Sequence, residues 1–246
     1  MDAKERYARQ LMLPEWGEKG QEALGRARVL LAGVGGLGSP IATYLTAAGV
    51  GTLGLADADK VSVSNLQRQV LYDETQVGLS KVVCAAERLR KLNSEVNIVC
   101  HDCFVDSGNI YSLLSDYDYV IDACDNFATR FLLNDCCLEL GKTYIYGSIC
   151  GLDGQVSVFG RPDANGRIRS YRELYDEEEL LSMPAPSKGV MGVTPAVVGT
   201  VEVNQLLALC AGYGEPLIGR LWTIDLRTMA SAVIEFWWLT GNGLKG

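Results

Sequence analysis

Histidine is all but missing from this chain of 246 residues: His101 is the only one. A serine–histidine–aspartate relay, or a metal held by several imidazoles, would have to run through that single side chain. The opening residues MDAKERYARQ lack the apolar core of a secretory signal, and no apolar run is expected to be long enough to cross a bilayer. A cytoplasmic protein without a membrane partner is therefore expected, its eight cysteines reduced. A basic face is lacking too. The net charge of -8 argues against nucleic acid as a partner, while leaving room for a local cationic site. There is one CxxC, made by Cys100 and Cys103, and no second. A lone pair of this kind suits half a zinc site or a redox couple, but it falls at an expected strand end with no helix start behind it. Cys136 and Cys137 fall in an expected helix as packing residues. Cys124 and Cys150 follow strand ends, with no histidine beside them to act as base.

No internal repeat, low-complexity tract or proline/serine linker divides residues 1–246, so one unit is expected. A hydrophobic share of 48% against 21% charged is that of a soluble chain able to bury a large core. Residues 1–25 form a charged, helix-prone arm broken at Pro14. Arg6 is expected in solvent; Arg9, followed by Gln10 and apolar residues 11–13, is expected against the body. From Ala27 to Gly147 two patterns alternate. Strands are expected at 28–33, 51–57, 96–100, 117–123 and 143–147, helices at 38–49, 80–92, 108–115 and 127–140. Such alternation predicts an α/β fold with a parallel sheet and right-handed crossovers. After Gly147, DGQVSVFG alternates like a half-buried strand. Residues 161–190 have the polarity of a surface loop or mobile lid, with an acidic run at 176–179 and the prolines Pro184 and Pro186. VTPAVVGTVEVNQLLALCAG has the pattern of a buried helix, ended by Gly212. GRLWTIDL and ASAVIEFWW make a C-terminal hairpin.

The densest chemistry lies in RVLLAGVGGLGSP, where an apolar strand runs into Gly33, Gly35, Gly36 and Gly38 and then a helix. Glycines leave backbone N–H groups and a helix N-terminus open to a phosphate. Alone, the pattern is equally that of a tight turn. Its place between strand and helix, with Asp57 ending the next strand where a ribose ligand belongs, favours a Rossmann-like nucleotide site. Asp59, Asn65, Arg68 and Lys81 follow closely. Two cations and an amide suit a triphosphate better than a redox cofactor. Asp125 and Asn126 follow a third strand end; Asp125 is either a ligand in the same crevice or the cap of the following helix.

RYARQ, GVGGLGSP, DADKVSVSNLQRQ, the GLSK around Lys81 and DACDN together resemble the ThiF/MoeB/HesA family, bacterial relatives of ubiquitin-activating enzymes. The likeness runs from Arg6 to the GEPLIGRL of 214–221. It implies a Rossmann-like ATP-binding fold whose parallel sheet is extended by antiparallel C-terminal strands. It implies adenylation, with ATP and magnesium, of the C-terminal carboxylate of a small ubiquitin-fold sulfur carrier ending in Gly-Gly. Pyrophosphate is released, and the carrier serves cofactor synthesis such as that of thiamine or molybdopterin. By position, Gly33, Gly35, Gly36 and Gly38 flank the phosphates and Asp57 holds the ribose. Asp59, Asn65, Arg68, Lys81 and Asn126 complete the nucleotide site, and Asp125 takes magnesium. Arg9 resembles an arginine that crosses a homodimer into the partner's site, so Arg9, Arg68, Lys81 and Asp125 are the expected catalytic set. The arm 1–25 precedes a nucleotide-binding half, 26–150, and a crossover-loop and carrier-binding half, 151–246.

Two departures stand out. Most of the family holds a structural zinc with two CxxC pairs; here Ser170, Tyr171, Arg172 and Glu173 replace the first, and the tail EFWWLTGNGLKG has no cysteine. No structural zinc is expected, with Phe236, Trp237 and Trp238 taking part of its role. No cysteine lies between Cys150 and Cys210 either, which leaves adenylation without a covalent cysteine step. The alternatives are a nicotinamide-dependent oxidoreductase on the same fold, a non-catalytic partner, or a relative that adenylates a small molecule or a tRNA base.

Overall fold

The computed structural model describes residues 3–184 and 189–236. Three short helices open it: α1 (Ala3–Arg6), α2 (Ala8–Leu11) and α3 (Gly17–Arg26). Then β1 (Arg28–Ala32), α4 (Gly38–Ala48), β2 (Thr52–Ala56), α5 (Lys81–Leu92), β3 (Asn97–His101), α6 (Ile110–Ser115), β4 (Tyr119–Asp122), α7 (Phe127–Glu139) and β5 (Thr143–Cys150) alternate. They are followed by β6 (Asp153–Phe159), α8 (Glu177–Ser182), α9 (Val193–Ala211), β7 (Arg220–Asp225) and β8 (Ala230–Glu235). The expected strands and helices all form, within two residues of their ends except that β5 runs three residues further, to Cys150.

The strands make one sheet in the order β3-β2-β1-β4-β5-β6-β7-β8. The first five are parallel, and β6, β7 and β8 add antiparallel neighbours, the last two as the expected hairpin. The chain winds outward from β1 to β3, then returns to lay β4 on the other side of β1. That reversal opens a crevice at the carboxyl ends of β1 and β4. Helices cover both faces, so the inner parallel strands β1, β2 and β4 are buried nearly throughout rather than alternating, while the edge strand β3 is only partly buried. Val29 and Leu31 face one buried cluster with α4, α5 and α9; Leu30 and Ala32 face another with α6 and α7.

The chain differs from its sequence-based expectations in three places. The first is α9, which at 19 residues is long and apolar enough to cross a bilayer by composition. It is apolar because it packs against α3, α4, β5 and β6, and half of it is buried. Gly212 ends it in the left-handed conformation, φ 72°. The second concerns the arginines of the arm. Arg6 is half-buried and donates to Leu92 O (3.1 Å), while Arg9 is exposed. What pins the arm is Tyr7, whose hydroxyl accepts from buried Asn93 (2.8 Å), together with Gln10, which donates to Gln21 (2.8 Å).

The third is the polar stretch after β6, which is seated rather than loose. Ser170 caps a 3-10 turn, Tyr171–Glu173, in a reciprocal capping box with Glu173. Tyr171 is fully buried, its ring 4.9 Å from those of Phe131 and Tyr146. Asn134 of α7 accepts the Tyr171 N–H at 2.8 Å. Arg169 pairs with Asp163 and Glu173, both at 2.9 Å, and Arg172 pairs with Asp135 and Glu177 at 2.7 and 2.8 Å. The charges around Tyr171 are thus paired locally, while the rest of the stretch stays on the surface as its composition suggests. Phe236 is buried 5.8 Å from Phe159. Trp237, Trp238 and Pro186 lie outside the described residues.

Candidate nucleotide site

β1 runs directly into Gly33, whose N–H donates to Ala56 O (2.8 Å) and whose φ of 97° suits glycine alone. A side chain there would meet Ala123 O at 2.5 Å, and one at Gly38 would strike Gly33 O. A Cβ on Gly36 would come within 3.4 Å of Pro195 and 3.5 Å of Arg68 Cδ. The glycines thus let the turn, β4, α9 and the Arg68 stem close on one another. Gly35 O accepts the Ser39 N–H (3.0 Å), while the Gly35 and Gly36 N–H groups take no acceptor among the described residues.

Asp57 directly follows β2 and is buried. Its Oδ2 accepts the Val34 N–H and its Oδ1 the Asp59 N–H, both at 2.8 Å. Each oxygen keeps a lone pair for a ribose hydroxyl. Lys81, first residue of α5, has a side chain only 5% exposed; its Nζ lies 2.8 Å from Asp59 Oδ2 and 3.9 Å from Asp57 Oδ2. Arg68 is half-buried and spends one nitrogen on Ser64 O (3.0 Å). Asn65 ends the 3-10 turn Val63–Asn65, and its carbonyl accepts the Arg68 N–H at 3.0 Å. Asn126, not Asp125, caps α7: its side chain accepts the Thr129 N–H at 2.9 Å. Asp125 is exposed and has no partner among the described residues. Arg9 stands apart, because α2 packs beside Gly49 and Asn93, at the amino ends of β2 and β3.

The remaining candidates are structural. His101 Nε2 lies 2.7 Å from the Tyr117 hydroxyl, and burial lowers its pKa. The CHDC run makes no site: Cys100 Sγ points to Val82 O of α5 (3.5 Å), while Cys103 packs on the α6 and α7 face. Among the described residues no cluster of three or more metal-ligating side chains occurs. Two grooves of about 460 Å³ lie elsewhere, one along β5 to β8 with Ser148, Cys150 and Gln155, the other by Tyr7 and Gln21.

Sequence reasoning missed a buried charge cluster directly behind Asp125. Arg130 Nε sits 3.3 Å from Asp122 Oδ2, an ion pair outside hydrogen-bond geometry, and Arg130 Nη2 donates to Cys124 O at 2.8 Å. Asp122 also accepts the Tyr144 hydroxyl and the Cys124 N–H, both at 2.8 Å. Nearby Glu202 of α9 faces Gly147 with both carboxylate oxygens unpartnered and no exposure. A lone glutamate in the apolar VVGTVEVNQLL was the available signal. Burial first, then the Asp122 charge, pushes the Glu202 pKa well up against the pull of Arg130. The folded chain therefore keeps a proton that the unfolded chain releases as pH rises through the ordinary glutamate range, and stability falls with it. Glu202→Gln removes that dependence. Its gain in stability should grow by up to about 1.4 kcal/mol per pH unit in denaturant titrations between pH 5 and 8. An equal effect at both ends would refute a neutral Glu202.

Comparisons with known proteins identify the family. The ThiF family pattern matches residues 7–236. A Thermus thermophilus protein named sulfur carrier protein adenylyltransferase is 44% identical over 224 residues, 90% of this chain and 83% of that protein. A Mycobacterium tuberculosis protein named probable adenylyltransferase/sulfurtransferase MoeZ is 41% identical over 93% of this chain, which spans 59% of its length. Among solved structures, E. coli MccB with ATP superposes with a TM-score of 0.78 at 20% identity, covering 94% of this chain and 71% of that one, a likeness of fold. The glycine turn, the SNLQRQ turn and the sheet that joins them thus fall within one matched span: the chain belongs to the ThiF family.

Proposed function

We propose that this chain adenylates the C-terminal Gly-Gly carboxylate of a small ubiquitin-fold sulfur carrier with ATP, releasing pyrophosphate, as a step in sulfur transfer for cofactor synthesis in the cytoplasm. One observation carries the reading: unpartnered N–H groups of a glycine turn, Asp57 and the cations Arg68 and Lys81 surround a single switch point in a ThiF-family chain. A carrier carboxylate oxygen bonds to the α-phosphorus while the bond from that phosphorus to the bridging oxygen breaks. Pyrophosphate leaves with the electron pair, and an acyl-adenylate remains. The nucleophile is already ionised, so the protein's task is to hold two anions together and neutralise the growing charge. Asp57 reads the ribose. Gly35 and Gly36 N–H groups, Asn65 and Arg68 hold phosphate oxygens. Lys81 exchanges Asp59 for a phosphate.

Asp125 suits magnesium. It is one exposed, uncommitted carboxylate, and this hard ion takes one or two carboxylates beside phosphate oxygens and water. When bound, the ion offsets phosphate charge. Residues 26–150 form the nucleotide half and residues 151–246 the carrier-binding half of one unit, with the groove along β5 to β8 available to the carrier. Arg9, exposed and far from its own crevice, serves the site of a second copy in a homodimer.

The test is ATP–pyrophosphate exchange with a recombinant carrier ending in Gly-Gly. Exchange should require the carrier and vanish when its last glycine is removed, and NADH fluorescence should not change on mixing. Sedimentation should show a dimer. Exchange without any carrier would refute the acceptor, and full activity from a strict monomer would refute the role of Arg9.

A further inference from the structure

The turn that presents N–H groups to the phosphates is braced from behind by a side chain outside the expected site set. Val34 is gripped at both of its peptide groups. Its N–H donates to Asp57 Oδ2 and its carbonyl accepts the Tyr72 hydroxyl, both at 2.8 Å. Tyr72 follows the SNLQRQ turn and is 5% exposed. Its hydroxyl is held as a donor, because burial and the Asp57 charge both oppose its ionisation. The carbonyl of Val34 and the N–H of Gly35 belong to one planar, trans peptide and so point in opposite directions. Fixing the first toward Tyr72 fixes the second away from it, on the side of the turn opposite the Tyr72 ring. The Gly35 N–H has no acceptor there among the described residues. Glycine at 35 offers no steric resistance to a flip of this peptide, so the hydroxyl is what holds the orientation. Gln69 supports the same turn: it is buried, its amide nitrogen would lie 3.4 Å from a Cβ on Gly35, and its Oε1 has no partner.

We propose that Tyr72 is a positioning residue for the triphosphate, its hydroxyl setting the Val34–Gly35 peptide so that the Gly35 N–H meets a phosphate oxygen. The assignment rests on the reading that this chain binds ATP. It predicts that Tyr72 acts on the phosphates rather than the ribose, since it holds the Val34–Gly35 peptide whereas Asp57 is held by the N–H of the preceding one.

Tyr72→Phe keeps the ring and loses only the donor, and calorimetric titration with ATP and with adenosine separates the roles. Affinity for ATP should fall about tenfold to a hundredfold, the worth of a hydrogen bond to a charged group. Affinity for adenosine should stay within about twofold, and in exchange the KM for ATP should rise more than kcat falls. Equal ATP affinity in wild type and variant would overturn the assignment. So would a parallel loss of adenosine and ATP, which marks a general loosening of the fold. A wild-type protein that binds adenosine but gains nothing from the triphosphate would overturn the ATP reading itself.

Discussion

Asp125→Ala is expected to lower carrier-dependent ATP–pyrophosphate exchange by about a thousandfold, the upper range for deleting one charge-stabilising group, with the melting temperature almost unchanged. Both halves of the expectation come from its surroundings. Asp125 is exposed and has no partner among the described residues, so its removal orphans no donor. The α7 cap survives because Asn126 holds it. What is lost, under the proposed assignment, is the uncommitted carboxylate that would hold magnesium. Asp125→Asn should recover little, because an amide oxygen supplies the geometry without the charge. Raising magnesium should partly restore exchange in either variant, and undiminished exchange by the alanine variant would dispose of the metal assignment.

Arg130→Ala should cost about 3–5 kcal/mol of stability, the usual penalty for stripping one partner from a buried ion pair. Asp122 would be left without exposure and without its cation, and Cys124 O without its donor. Burial already raises the Asp122 pKa, with Arg130, the Cys124 N–H and Tyr144 opposing. Without Arg130 the carboxyl takes up a proton more readily, so the variant's deficit should be smaller at pH 5 than at pH 8. Denaturant midpoints at the two pH values measure this. Replacing both partners, Asp122→Asn with Arg130→Met, should cost less than Arg130→Ala alone. A deficit under about 1 kcal/mol at pH 8 would mean that the pair is solvated.

The framework was legible because its signals are local. The β1 apolar run, the glycine turn and Asp57 occur within thirty residues, and each element's period is visible without its neighbours. The antiparallel extension was legible for the same reason, from hairpin-forming strands near the end. What escaped depends on contacts between distant segments. Arg6 and Arg9 differ by three positions in one charged arm, and only the docking of Tyr7 against Asn93 decides which faces inward. Asp122 and Arg130 are eight residues apart and pair only because the turn carrying Cys124 folds back on β4. Tyr72 looks like any core aromatic until its hydroxyl is seen on Val34 O. Residues 161–190 do lie mostly on the surface, and what their composition hid is the anchor at Tyr171, where Arg169 is buried with Asp163 and Glu173 beside it.

That last segment sets how the enzyme would be disturbed. Carboxylate–guanidinium pairs yield to protons and to concentrated salt, and they ignore chelators and thiol oxidants. Asp135 and Asp163 already sit below the ordinary carboxylate range, Asp135 through Arg172 and Asn134 against its partial burial, Asp163 through the Arg167 N–H and Arg169. Acid must therefore work against lowered carboxylate pKa values to loosen the pairs beside Tyr171, and those pairs hold no thiol for an oxidant to attack.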